Sequence, residues 1–182
     1  MKNIVLIGFM GSGKTEVGKR LAERLSYTFV DTDRLIEEKR GKSVDGIFRG
    51  EGESRFRELE VSIIRELSIR ALSGVTGHVI STGGGIVLIK DNIRSLKKIG
   101  LLVWLKASPE TIYRRVSSET HRPLLNLDDP LGEIKRLLSF REQFYSEADI
   151  SVDTDGLEVD KIVDVIIVHI RRGSCKSPFL SP

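Results

Sequence analysis

The feature that most constrains this chain is GFMGSGKT at Gly8–Thr15, which has the form G-x-x-x-x-G-K-T. It follows a short apolar run, NIVLIG, and opens a stretch whose apolar residues recur at four-residue spacing. A strand, a glycine-rich turn and a helix in this order form the setting in which the motif binds phosphate. Backbone N–H groups and the start of the following helix both favour an anion, so the sequence predicts a nucleotide site rather than an ordinary glycine turn.

The motif predicts roles for its own residues but does not identify the phosphate acceptor. Lys14 would reach the β- and γ-phosphates of ATP, and the Thr15 hydroxyl would ligate Mg²⁺. The candidate nucleotide-binding residues are Gly11, Ser12, Gly13, Lys14, Thr15 and Glu16. Small kinases, GTPases and larger ATPases share the motif. The sequence has no N-K-x-D motif for guanine, and a chain of 182 residues favours a kinase of small molecules.

The rest of the chain alternates between apolar runs and helical patterns. The apolar runs predict five strands, at 3–8, 28–31, 78–82, 101–107 and 149–154. The helical patterns predict helices near 14–25, 33–40, 52–73, 90–98, 108–116, 130–147 and 157–172. Buried strands separated by helices indicate a parallel sheet with right-handed crossovers, which is a three-layer α/β/α fold.

Two segments lie outside this pattern. Residues 117–129 are polar and lack periodicity, and a loop of this length in a compact domain often forms a lid. Residues 173–182 are predicted to be a disordered tail. The prediction is therefore a single domain over residues 1–172.

Composition limits the partners that we expect. A hydrophobic fraction of 40% and a charged fraction of 30% are typical of a soluble globular protein. The formal net charge of +3 fits an anionic ligand, but no basic block with interleaved aromatic residues points to nucleic acid. The single cysteine, Cys175, fits a reducing cytoplasm, and the N-terminal apolar run is too short for a signal peptide or a membrane span. We expect a cytoplasmic monomer that binds neither nucleic acid nor membrane.

Two arginines occupy positions that suggest an anion site. Arg141 lies within the apolar stripe of the predicted helix 130–147, where it could extend to water or project into a cleft. Arg57 lies three residues before Glu60, which falls on the apolar face of the predicted helix 52–73. The two could form an ordinary surface ion pair. Alternatively, the glutamate could hold the guanidinium ready to bind a carboxylate in bidentate fashion.

The ends of other elements supply further candidates. Three glycines, Gly83–Gly85, follow the third predicted strand, where ligands bind in open α/β sheets, although a flexible turn would also use them. Arg122 precedes Pro123 in the predicted lid. Arg115 lies at the end of the preceding helix, where a cation is also favourable for the helix dipole alone.

Two carboxylates stand one residue apart in VDTDR, directly after the second predicted strand. Asp31 and Asp33 could hold a metal ion, accept a proton, or belong to a solvated turn. Because the strand ends at the edge where ligands bind, we expect both side chains to face a cleft.

Taken in order, these motifs resemble the shikimate kinase family, which belongs to the nucleoside-monophosphate-kinase-like P-loop group. The resemblance runs from about Asn3 to Arg171 and rests on GFMGSGKT, DTD, GE followed by FRELE, GGG, RPLL, REQFY and VDT. It implies a five-stranded parallel sheet of order 2-3-1-4-5 with a mobile lid. It also implies transfer of the ATP γ-phosphoryl group to the 3-hydroxyl of shikimate, a step of chorismate and aromatic amino acid biosynthesis.

The resemblance further implies a role for each candidate around the substrate. Shikimate would lie in a region formed by residues 33–60 and the glycine run. The residues expected to bind it are Asp33, Arg57, Glu60, Gly84, Gly85 and Arg141, with Glu60 acting by orienting Arg57. Those expected to line its pocket are Val44, Phe48, Phe56 and Leu124.

Around the phosphates, the resemblance implies that Asp31 holds Mg²⁺ through water and that Thr15 ligates it. Arg115 would stack on adenine, and Arg122 would contact the phosphates. The residues expected to act in catalysis are Lys14, Asp33 and Arg122. Glu16 departs from the small or hydroxylated residue that the family more often has.

Two other functions remain open from the sequence. One is a kinase of another small polyol acid, such as gluconate. The other is a nucleotide-binding regulator without catalysis, which the presence of every candidate catalytic side chain disfavours.

Overall fold

A five-stranded parallel sheet forms the centre of the protein, and helices cover both of its faces. The computed structural model describes residues 2–117 and 128–174. The strands are β1 Asn3–Ile7, β2 Thr28–Asp31, β3 His78–Ser81, β4 Gly100–Lys106 and β5 Ile150–Asp153. The helices are α1 Lys14–Leu25, α2 Thr32–Arg40, α3 Val44–Leu72, α4 Lys90–Ile99, α5 Pro109–Val116, α6 Pro130–Tyr145 and α7 Val159–Ser174. The strand order β2-β3-β1-β4-β5 confirms the predicted topology.

The core consists mainly of two clusters, and β1 contributes to both. Val5 and Ile7 share one cluster with residues of α3 and α4, whereas Ile4 and Leu6 share the other with residues of α1 and α7. Successive side chains of a strand point to opposite faces of the sheet, and here both faces are covered. This is why the strand is apolar at nearly every position and buried at all five.

The strand register brings three strand ends to one edge of the sheet. Asp31 at the end of β2 lies opposite Ser81 at the end of β3, and Leu6 of β1 lies opposite the same serine. Strand β1 is followed by the glycine loop, Gly8–Gly13. Strand β2 is followed by the start of α2, and β3 by the glycine run, Gly83–Gly85. These segments therefore meet at the carboxyl edge, where open α/β sheets bind ligands.

Helix α3 begins earlier than its sequence pattern indicates, at Val44 rather than at 52. Ser43 caps it by accepting a hydrogen bond from the Gly46 N–H at 3.1 Å. Gly52, with φ of 84°, is not helical and divides the element into two pieces. Glycines at 46, 50 and 52 weaken the helical signal of the first piece, so only the second is evident from the sequence.

The C-terminal helix also extends further than predicted. Helix α7 continues to Ser174, so two residues assigned to the tail are helical. The rest of that tail lies outside the described residues, as does most of the predicted lid, including Arg122 and Leu124. In the part of the chain that is described, none of the helices has the length and apolar character needed to cross a bilayer.

Candidate active site

Two glycines shape the loop that follows β1. Gly8 has φ of 150°, and a Cβ placed on it would lie 2.6 Å from the carbonyl oxygen of Leu105. Gly13, with φ of 91°, is the residue before α1 and adopts a left-handed conformation. Gly8 cannot carry a side chain because the side chain would collide with Leu105, and Gly13 adopts a left-handed backbone conformation that other residues rarely adopt.

Lys14 folds back onto this loop. Its Nζ donates hydrogen bonds to the carbonyl oxygens of Gly8 at 2.9 Å and Phe9 at 2.8 Å, and the residue is only 8% exposed. These contacts hold the ammonium group in the cleft at the carboxyl edge of the sheet. The lysine is therefore positioned by its own loop, with a fixed charge available to phosphate oxygens.

Asp31 joins the loop to α2. Its Oδ2 accepts a hydrogen bond from the Thr15 hydroxyl at 3.3 Å, and its Oδ1 accepts from the N–H groups of Asp33 at 3.0 Å and Arg34 at 3.4 Å. The residue is thus the N-cap of α2, and the helix N-terminus stabilises its negative charge. The same carboxylate also faces the cleft, so Asp31 can cap the helix and take part in a binding site at the same time.

The Thr15 and Asp31 oxygens are suitable donors for Mg²⁺, which prefers a few protein oxygens supplemented by phosphates and water. Among the described residues, no group of three or more His, Cys, Asp or Glu side chains could hold a metal ion alone. That donor set fits a magnesium ion that depends on its nucleotide and does not fit a dedicated protein cage.

Asp33 is the second carboxylate of the cleft. Its Oδ1 is buried and has no hydrogen-bond partner among the described residues. Burial and the nearby charge of Asp31 raise the pKa of Asp33 to about 6, although Lys14 acts in the opposite direction. The cleft has a volume of about 400 Å³, and the residues that line it are Met10, Gly11, Gly13, Lys14, Thr15, Glu16, Asp31, Asp33, Ser81, Thr82, Gly84 and Arg115.

A buried glutamate holds Arg57, as the three-residue spacing predicts. Glu60 is fully buried, and its Oε2 lies 2.6 Å from Arg57 Nη1. Burial raises the pKa of Glu60 to about 7, although Arg57 beside it acts to lower that pKa. Burial would lower the pKa of Arg57, but Glu60 raises it above its ordinary value. Glu53 is a further partner at 2.8 Å that was not predicted; its i, i+4 spacing is the signal that could have found it.

The glycine run after β3 is required by close approach. A Cβ on Gly83 would lie 2.7 Å from Asp33 Oδ1 and 2.8 Å from Glu60 Oε1, while a Cβ on Gly85 would lie 2.5 Å from Arg57 Nη1. Any larger residue would displace these side chains. The run therefore lets two carboxylates and a guanidinium pack against bare backbone, which the flexible-turn interpretation does not explain.

Arg141 reaches the same glycine run from α6. Its Nη1 donates to the Gly84 carbonyl oxygen at 3.4 Å, and its guanidinium carbon lies 5.1 Å from the centre of the Phe9 ring. Its Nε is buried without a hydrogen-bond partner in the described part of the chain. The arginine thus points inward, and the guanidinium groups of Arg57 and Arg141 approach neighbouring glycines from two different helices.

A family model for shikimate kinase matches residues 10–171 of this chain. The chain belongs to the shikimate kinase family. A curated shikimate kinase from Pelotomaculum thermopropionicum is 50% identical over 172 residues, covering 94% of this chain and 97% of its own length. One from Thermodesulfovibrio yellowstonii is 44% identical, with 94% and 96% covered.

Solved structures agree with this membership of the shikimate kinase family. A shikimate kinase from Acinetobacter baumannii in complex with shikimate superimposes with a TM-score of 0.89 and 34% identity, covering 97% of this chain and 96% of that one. A shikimate kinase from Aquifex aeolicus gives 0.82 and 34%, with 96% and 99% covered. A gluconokinase from Sinorhizobium meliloti, with a TM-score of 0.59 and 20% identity, shares the fold alone. The predicted family, fold and kinase activity are therefore confirmed.

The remaining candidate site residues lie around the cleft. Arg115 Nη1 donates to the carbonyl oxygen of Gly11 and to the hydroxyl of Thr154, both at 3.2 Å, so it does more than complement the end of α5. The Glu16 side chain is 70% exposed and pairs with Lys19 at 3.3 Å.

The predicted pocket lining is only partly described. The rings of Phe48 and Phe56 lie 4.6 Å apart, and Val44 packs with them against the core. Arg122 and Leu124, also predicted for the site, lie outside the described residues. The structure brings the phosphate-loop residues, Asp31, Asp33 and Arg115 together along one cleft, and it places Arg57, Glu60 and Arg141 against the glycine run Gly83–Gly85 beside it.

Proposed function

We propose that this kinase transfers the γ-phosphoryl group of ATP to the 3-hydroxyl of shikimate, yielding shikimate 3-phosphate and ADP. One observation carries the proposal most directly. The guanidinium groups of Arg57 and Arg141 converge on adjacent glycines, beside the cleft that contains Lys14 and Asp33. An acid with a hydroxyl group would place its carboxylate at the arginines and its hydroxyl toward the phosphate loop.

The acceptor side would bind the substrate carboxylate. Arg57 is held between Glu60 and Glu53, and a guanidinium that is already oriented loses little entropy when it forms bidentate bonds. Arg141 would supply the second positive charge, and its unpartnered Nε could donate to the substrate. Gly84 and Gly85 would contact the substrate through their backbone.

The phosphate side would position the donor. Lys14 would neutralise charge on the transferring phosphoryl group, and Thr15 with Asp31 would hold Mg²⁺. When bound, the ion would offset negative charge on the phosphate oxygens. We assign Arg115 to the adenine ring and Arg122 to the phosphates on the basis of the family resemblance.

Asp33 would accept a hydrogen bond from the substrate hydroxyl through its unpartnered Oδ1. We propose that it also takes the hydroxyl proton as phosphoryl transfer proceeds. A raised pKa brings the carboxylate closer to the pH at which it must act, which suits a general base. The base need not be strong, because a loose transition state delays loss of the proton.

We further propose that the chain acts as a cytoplasmic monomer with one domain over residues 1–172. Curated relatives that match over 94% of this chain support a single domain. The one cysteine in the sequence supports a reducing compartment. The lid expected over residues 117–129 stays a prediction, because residues 118–127 lie outside the described residues.

Shikimate-dependent release of ADP tests the function. Purified protein with ATP and Mg²⁺ should release ADP with shikimate, and much less with gluconate or without an acceptor. Faster turnover of gluconate would favour the alternative polyol-acid kinase. Tight ATP binding without release of ADP for either acid would favour the inert regulator.

A further inference from the structure

The carbonyl oxygen of Gly84 is held by a side chain that has no assigned role. The hydroxyl of Tyr145 donates to it at 2.6 Å, whereas Arg141 reaches the same oxygen at 3.4 Å. Tyr145 is fully buried, and its ring stacks on that of Trp104 with centres 5.7 Å apart. The position of the hydroxyl is therefore fixed by packing and not by solvent.

Holding this carbonyl group also orients a donor on the other side of the same peptide. A peptide unit is planar and trans, so the Gly84 C=O and the Gly85 N–H point in opposite directions. Within residues 2–117 and 128–174, the N–H groups of Gly84 and Gly85 donate to no protein acceptor. Gly85 is buried, and buried N–H groups nearly always have a partner, so the Gly85 N–H indicates a ligand.

A run of three glycines needs such an external anchor. Glycine has the widest conformational freedom of any residue, and the run has no side chains to restrict it. Its first N–H is fixed by the Thr32 hydroxyl at 3.2 Å, and its last carbonyl accepts from the Leu88 N–H at 3.1 Å. Between these two points, Tyr145 makes the shortest hydrogen bond.

We propose that Tyr145 is a positioning residue for the acceptor substrate. Its hydroxyl fixes the Gly84–Gly85 peptide so that the Gly85 N–H faces the bound acid. Because Tyr145 and Arg141 donate to the same Gly84 oxygen, the tyrosine also fixes the position of the acceptor that holds the Arg141 guanidinium. The inference rests on the proposed function in taking the bound acid to be shikimate. Tyr145 and Arg141 lie one turn apart on α6, which is the spacing that lets both reach one acceptor.

Tyr145→Phe tests this role, because it keeps the ring and removes only the hydroxyl. A single hydrogen bond to a neutral group implies that the KM and Kd for shikimate should rise between about twofold and tenfold. The kcat and the KM for ATP should change less than twofold, since the phosphate loop does not depend on this contact. Equal losses for both substrates, or an unchanged KM for shikimate, would overturn the inference.

Tyr27→Phe provides the matched control. Tyr27 packs against the core cluster of α1 and α7, and its hydroxyl makes no hydrogen bond within the described residues. This variant should leave the KM for shikimate unchanged, even if both variants lower the melting temperature slightly.

A measurement without substrate separates this inference from the proposed function. Amide hydrogen exchange at Ile86 and Leu88, whose N–H groups donate to the carbonyl oxygens of Gly83 and Gly85, should be faster in Tyr145→Phe than in the wild type and in Tyr27→Phe. If the wild type does not turn over shikimate, the proposed function fails, while faster exchange still supports the anchoring of the glycine run. Unchanged exchange together with an unchanged Kd would refute the positioning role.

Discussion

The two sides of the cleft satisfy their polar groups in opposite ways. On the phosphate side, Lys14 donates to two carbonyl groups of its own loop, at 2.9 and 2.8 Å. On the acceptor side, Asp33 Oδ1, Glu60 Oε1 and Arg141 Nε are buried and have no hydrogen-bond partner in the described part of the chain. The phosphate side has one such atom, Ser12 Oγ.

This difference indicates what each side depends on. An unsatisfied buried polar atom costs about 1–3 kcal/mol, and more when the group is charged. These unpaired atoms therefore destabilise the acceptor side of the protein without substrate, and the hydroxyl and carboxylate groups of a substrate can offset that cost on binding. The phosphate side has fewer such atoms, and its lysine would act on the transferring phosphoryl group, so we expect its variants to lose mainly turnover. On the acceptor side, we expect variants of the two arginines to lose mainly substrate affinity, whereas Asp33, which would also take the hydroxyl proton, should affect turnover.

Lys14→Ala should have the largest effect, on turnover. It removes the fixed positive charge that would stabilise the transferring phosphoryl group, and loss of one such donor lowers kcat by roughly 1,000-fold. Steady-state release of ADP at saturating shikimate measures this loss. Lys19→Ala is the control, because Lys19 is 58% exposed and pairs only with Glu16 among the described residues. A larger change in the KM for shikimate than in kcat would refute the division between the two sides.

Asp33→Asn should rank second. It preserves shape but removes the carboxylate that would take the hydroxyl proton, and loss of a general base lowers kcat by roughly 100-fold. The same assay measures it, with Asp91→Asn as an exposed control. Unimpaired turnover would leave Asp33 as a binding residue at most.

Arg57→Ala should act chiefly on affinity. Hydrogen bonds between charged groups are worth more than neutral ones, so the KM for shikimate should rise between about tenfold and a hundredfold, with a smaller change in kcat. Arg55→Ala is the matched control on the same helix, since Arg55 is 43% exposed and pairs with Glu58 at 2.6 Å. An unchanged KM in Arg57→Ala would mean that the guanidinium does not bind the carboxylate.

The same contrast explains how far the sequence predicts the site. The phosphate side is one contiguous motif, Gly8–Thr15, so the sequence alone predicts it. The acceptor side is gathered from α2, α3, α6 and the turn after β3. The i, i+3 spacing was enough to pair Arg57 with Glu60, but only the fold shows that Glu60 is fully buried.

Other features could not be predicted because their cause is tertiary. The first half of α3 is poor in helix-favouring residues, and its start at Val44 depends on the Ser43 cap and on packing of Ile47 in the core. In the sequence Tyr145 is one more position of the apolar stripe of α6. Nothing near it in the sequence indicates that its hydroxyl donates a hydrogen bond to the carbonyl oxygen of Gly84, which lies in a turn distant along the chain. The N-cap role of Asp31 could have been recognised, because Asp before a helix is a common cap.

Glu60→Gln should have the smallest effect, and it is measured as stability against pH. Because burial raises the pKa of Glu60 from 4.5 to about 7, the folded state holds a proton that the unfolded state loses at lower pH. The free energy of unfolding should therefore fall as pH rises from about 4.5 to 7, and this contribution is fully present only below the unfolded pKa. In Glu60→Gln that fall should be smaller by about 1 kcal/mol, since partial exposure of Arg57 reduces the full effect.

Urea denaturation at several pH values between 4.5 and 7.5 measures the difference. Glu58→Gln is the control, because Glu58 is 62% exposed on the same helix and should leave the pH dependence unchanged. Asp33 contributes in the same direction, so some slope should persist in Glu60→Gln. If that variant were to keep the entire wild-type slope, Glu60 would be ionised in the folded state throughout this range. Glu60 and Arg57 would then form a fully charged ion pair without ligand, and the contrast between the two sides of the cleft would depend mainly on Asp33 and Arg141.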